Sequence, residues 1–149
     1  MPKALTDQQK QILKVEEPIL RVACRAGDLR KAENTIKRIQ AAFLNDRSHF
    51  RILRAKNWYY ESMLDSGRNK EALVGFEIIR KRAKEGTRTY LEATTFYGIC
   101  LLRKGQLEEA KEIIKYVVSH ISDIRSDGRR RQYEKRLISR IEDESILSQ

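Results

Sequence analysis

Proline and glycine are scarce in this chain of 149 residues, with 2 and 7 respectively, together about half the share of average usage. All-β and turn-rich architectures ask for more of both, so the shortage points to helices. Cysteine is equally sparse. Cys24 and Cys100 lie far apart, which is neither a disulfide framework nor a zinc spacing, and both are expected as reduced core residues. His49 and His120 stand alone, without a Cys or carboxylate at ligand spacing, so no metal site is assigned and no cofactor is expected. No run approaches the roughly 18 to 20 apolar residues of a membrane span. The first residues, MPKALTDQQK, carry no apolar stretch behind a basic one. The expectation is a cytoplasmic protein with no membrane partner. The glycine-rich phosphate loops, the nucleophile elbow and the helical zinc-protease motif are all missing, and the chain is expected not to be an enzyme.

What is present is charge and periodicity. Hydrophobic residues make up 40% and charged ones 35%, and 31 basic against 21 acidic residues leave a net charge of +10. The length suits one domain over 1–149, large enough to bury a core without staples. Within it three segments share a Gly, a short polar turn and an Ala five positions on: AGDLRKA (Gly27, Ala32), SGRNKEA (Gly67, Ala72) and KGQLEEA (Gly105, Ala110). The glycines are 40 and 38 residues apart. Each is followed by apolar residues at helical spacing, such as Leu29, Ala32, Ile36, Ile39 and Phe43 in the first. A helix that ends at a left-handed Gly, then reverses into an antiparallel helix close enough to need Ala, explains the pattern.

The helices before the glycines are expected at about 8–26, 47–65 and 88–104, with Pro18 as a kink or a restart in the first. Thr6 with Gln9 reads as a capping box and Asp46 as an N-cap. The repeats then run over about 8–44, 47–85 and 88–122. A final segment, about 127–147, sets Tyr133, Leu137, Ile138 and Ile141 beside Arg129, Arg130, Arg131, Lys135, Arg136 and Arg140. It is read as a capping helix over the last apolar face, the alternative being a frayed basic tail.

At these residues the chain resembles the tetratricopeptide repeat family. The turn Gly with its Ala, and the A-x3-F element as Ala72 to Phe76, with Ile for the aromatic at Ala32 to Ile36 and Ala110 to Ile114, carry the likeness. Tyr97-Gly98 with Leu101 looks like the L-G-x2-Y element, Thr94 standing in the place of its Trp. The repeat is longer here than the family's period of about 34 residues. A pentatricopeptide-like RNA binder is a related possibility. The resemblance implies an all-α fold: three antiparallel pairs stacked as a short right-handed solenoid plus a C-terminal capping helix. It also implies that the first helix of each pair lines a groove, through Lys14, Glu17 and Arg21, then Arg54, Asn57 and Glu61, then Glu92, Thr95 and Ile99. Arg25 and Arg103 occupy equivalent places near two helix ends.

Seven of the ten net charges fall between residues 21 and 60, which hold ten basic and three acidic residues. On a helical wheel Arg47, Arg51, Arg54 and Trp58 fall within about 60° of one another, opposite Ile52, Leu53, Tyr59, Tyr60, Met63 and Leu64. The lone Trp thus joins a basic stripe, with Arg54 placed for a cation–π contact. The binding residues expected are Lys14, Arg21, Arg25, Arg47, Arg51, Arg54, Trp58 and Arg103, in a groove for the acidic segment of another protein. The alternatives are a stripe that merely solubilises its helix, a nucleic-acid-binding surface, and a self-associating repeat.

Overall fold

A computed structural model describes residues 4–121 and 130–147 of the chain. Tyr133, Arg130 and Arg131 lie on its last helix, but their side chains, like the whole of Arg129, lie outside the described residues. Every regular element among those residues is a helix: α1 (Asp7–Ala26), α2 (Leu29–Ala41), α3 (Phe50–Asp65), α4 (Asn69–Arg82), α5 (Arg88–Lys104), α6 (Leu107–His120) and α7 (Arg130–Leu147). The all-α expectation holds.

The three Gly turns are alike down to their hydrogen bonds. Gly27, Gly67 and Gly105 have φ of 70°, 85° and 85°. Each glycine N–H donates to a carbonyl three residues back, Cys24, Leu64 and Leu102. The next residue's N–H closes the wider ring, Asp28 to Ala23, Arg68 to Met63 and Gln106 to Leu101, which is the Schellman arrangement. The repeated Ala then donates the first N–H of the returning helix: Ala32 to Asp28, Ala72 to Arg68, Ala110 to Gln106. All three alanines have no exposed surface. A Cβ on any of the three glycines would meet nothing within 4 Å, so the need for Gly there is backbone conformation alone.

Caps at the other ends follow the sequence in one case and depart from it in another. Thr6 and Gln9 form the expected reciprocal box, at 3.1 and 2.9 Å, and Gln9 also donates to the Ala42 carbonyl at the end of α2. Pro18 sits inside an unbroken α1, so the helix does not restart there. Asp46 is not the N-cap of α3. That place belongs to His49, whose Nδ1 accepts from the Arg51 N–H at 3.1 Å while its ring lies 5.4 Å from Phe43 and 5.0 Å from Phe50. The preceding residues instead form a turn, with the His49 N–H donating to the Asp46 carbonyl. Arg47 therefore stands outside α3.

Each hairpin packs within itself, and α1, α3 and α5 also pack in series. One core runs through the whole set, from Leu13 and Leu20 of α1 through Phe76 and Phe96 to Leu137 and Ile141 of α7. Gly98 of α5 has its Cβ position 3.0 Å from an Ile113 methyl, which lets α5 and α6 close together. Polar stitches cross between hairpins: Ser62 donates to the Cys24 carbonyl at 3.0 Å and Asn57 to the Thr89 carbonyl at 3.2 Å.

The last helix departs from a simple end cap. α7 packs against α5, on the side that α5 shares with α1 and α3, and its charged side chains reach as far as α3. Arg136 pairs with Glu61, Arg140 with Asp65 at 2.9 Å, and Glu144 with Arg103. Consequently α5 is buried nearly all round. Thr95 and Ile99, expected to line an open groove, have no exposed surface; that part of the face is covered.

Candidate functional site

What remains open on the shared face is a cleft of about 910 Å³. Arg21, Cys24 and Arg25 of α1 form one side, and Arg54, Trp58, Glu61 and Asp65 of α3 line it further. Arg88 and Glu92 contribute from the first turns of α5, and Arg136 completes it from α7. A volume of this order suits a small ligand or a few side chains of a partner.

Trp58 is half-buried against the core and carries two guanidinium groups, Arg21 at 5.3 Å and Arg54 at 5.2 Å from the ring centroid. The expected Arg54 contact is present, and α1 adds a second. Arg21 and Arg25 lie one helical turn apart on α1, are exposed, and meet no carboxylate among the described residues. Arg54 has Glu17 at 3.5 Å, and its Nε is buried without a hydrogen-bond acceptor. Burial pulls its pKa down, Glu17 opposes this, and repulsion from Arg51 and Arg21 adds to it.

The acids of the cleft are engaged. Glu61 faces Arg136; burial still raises its pKa, with Arg136 and Arg140 opposing. Glu92 is deeper. Its Oε1 is buried with no hydrogen bond, its nearest cation is Arg136 at 3.8 Å, and desolvation, only partly offset by Arg136, lifts its pKa to about 7. Cys24 stays a thiol: burial and then Glu61 raise its pKa to about 11. Fully buried Cys100, at about 12, is raised by burial too. No group of metal-ligating side chains assembles among the described residues.

Of the eight expected binding residues, the structure gathers Arg21, Arg25, Arg54 and Trp58 at this cleft. Arg51 and Lys14 line a smaller neighbouring hollow of about 330 Å³ with Glu17 and Pro18. There Arg51 is a tie rather than an open cation, because its Nε and Nη2 grip Glu17 at 3.0 to 3.2 Å. Arg47 is exposed, precedes α3 and lines neither space, since the helix starts later than the wheel assumed. Arg103 is likewise a tie: its Nη1 donates to the Leu64 carbonyl at 2.9 Å and its fork grips the buried Glu144. Two of the arginines at the cleft escaped sequence reasoning. Arg88 had a usable signal, since it lies four residues before Glu92 on the same helix face. Arg136 had none, because its partner Glu61 is 75 residues away.

No family model, curated protein or solved structure matches the chain.

Proposed function

We propose that the protein is a non-enzymatic binding module, adaptor-like, whose cleft between α1 and α3 receives the acidic segment of another protein. The arrangement is read as a short tetratricopeptide-like solenoid, with α7 laid over the α5 part of its inner face. One observation carries the reading: Arg21 and Arg54 flank Trp58 at an open cleft that Arg25 also lines, while the nearby acids are already paired with α7. An Arg and Trp cluster with unmet donors is the composition of an interface hot spot, and local positive potential steers acidic partners. Charge reversal at Arg21 and Arg54 to Glu is expected to abolish capture of the partner from native extract while circular dichroism remains helical. Undiminished capture overturns the assignment.

A nucleic-acid ligand draws on the same cations and on Trp58 as a stacking platform. The 21 acidic residues interleaved with the basic ones along the sequence, and the lack of a recognised nucleic-acid motif, rank it second. Counterion release makes such binding strongest at low salt; a gel shift with DNA and RNA at low ionic strength, if blank, removes it.

A further inference from the structure

We infer that Arg21 and Arg54, which flank Trp58, and Arg25, which lines the same cleft, form a subsite for a dianionic phosphoryl group carried by the acidic segment, so that the cleft favours a phosphorylated partner. This rests on the acidic-segment reading and sharpens it.

Among the described residues Glu17 is the carboxylate within ion-pair distance of Arg54, and both its oxygens are already gripped by the Arg51 fork; Arg54 is left with a contact at 3.5 Å and an Nε without an acceptor. A cation–π contact uses none of a guanidinium's N–H donors, so the Trp58 ring fixes Arg21 and Arg54 without satisfying them. Arg25 adds a third cation one turn along from Arg21. The neighbouring acids face other cations: Glu61 and Glu92 face Arg136, and Asp65 faces Arg140. These three cations, Arg21, Arg25 and Arg54, thus share one opening, which Arg88 and Arg136 also line. A carboxylate brings one charge and two oxygens, enough for one fork. A phosphoryl group brings nearly two charges and three acceptor oxygens, which several forks can share in charge-assisted, bidentate bonds. Lysine, a point charge without a fork, would not make the same distinction.

Trp58 is the only Trp in the chain, so its emission reports on the subsite directly. The probes are inorganic phosphate and acetate at matched ionic strength, at about pH 8 where phosphate is a dianion. They are followed by an acidic peptide with one phosphoserine and its serine and glutamate counterparts. Phosphate is expected to change Trp58 emission saturably and acetate not. The phosphopeptide is expected to bind at least about tenfold more tightly than the glutamate peptide. R54K and R21K, which keep the charge, are expected to lose that preference, whereas R47K keeps it. Since Arg21 is exposed, R21K tests the subsite even if R54K perturbs packing. The inference is overturned by an absent phosphate response, by a preference that survives in both lysine variants, or by equal binding of phosphoserine and glutamate peptides. In that last case the acidic-segment reading stands. If no peptide binds while phosphate still does, the acidic-segment reading falls, and binding of a single-stranded oligonucleotide in the peptide's place assigns the phosphate to nucleic acid.

Discussion

Arg51 and Arg54 lie on the same face of α3 and meet the same carboxylate, yet they differ in what they have left to give. The Arg51 fork spends its donors on Glu17, and both side chains are largely buried, at 25% and 14% exposure. Removing it leaves Glu17 poorly matched between α1 and α3. Arg51→Ala is therefore expected to lower stability by about 1 to 2 kcal/mol, read as a drop in the thermal midpoint. Arg54→Ala loses a long ion pair and one ring contact, expected at under about 1 kcal/mol, while it impairs ligand capture. If Arg54→Ala unfolds the protein and Arg51→Ala does not, the roles are reversed. Glu92 supplies a pH test. Its folded pKa, about 7, lies above the ordinary value of 4.5. Between those values the folded protein holds a proton that the unfolded chain has released, so stability falls as pH rises through the window and levels off above it. Glu92→Gln is expected to flatten that slope and to raise the midpoint at alkaline pH. An unchanged slope in thermal melts across the window contradicts the burial argument.

At the scale of elements, the hairpins were legible because their signals are local. A Gly, and an Ala five residues later, report a Schellman turn and the first hydrogen bond of the returning helix, all within a ten-residue stretch. Gly67→Ala forces a left-handed Ala and is expected to cost about 1 to 2 kcal/mol, measurable by denaturant titration; a neutral outcome would mean that the turn relaxes to another form. The start of α3 was not legible, because His49 caps it through its Nδ1 while its ring is held by contacts with Phe43 and Phe50 that a polar-residue rule does not weigh. The docking of α7 was not legible either. Its amphipathic spacing foretold a helix, but the partners of Arg136, Arg140 and Glu144 lie 41 to 75 residues back along the chain. The Arg136 and Arg140 pairs are partly exposed and worth little singly, whereas Leu137 has no exposed surface. Leu137→Ala is expected to release α7, by about 2 to 5 kcal/mol, and Arg136→Ala to loosen it far less. Amide exchange on α7 distinguishes them, and a larger effect of Arg136→Ala would make the helix an electrostatic latch instead.

For the whole molecule, the net charge of +10 resolves into cations with different employment. Arg38 and Arg51 tie the first three helices together through Glu16 and Glu17, and Arg103, Arg136 and Arg140 dock the last one. Arg21, Arg25 and Arg54 are left facing the cleft. The sequence placed the surplus charge in the right forty residues but could not divide it, since which arginine is paired depends on where α1 and α7 carry their carboxylates. The proposed recognition accordingly rests on position and not on bulk charge. The most direct test compares two double variants of equal net charge for binding to an acidic peptide at one salt concentration. The first is R21E with R54E, in the cleft, and the second is R47E with K37E, at exposed positions outside it. The cleft variant is expected to lose binding and the other to retain it; equal losses in both would show that net charge, and not the cleft, holds the ligand.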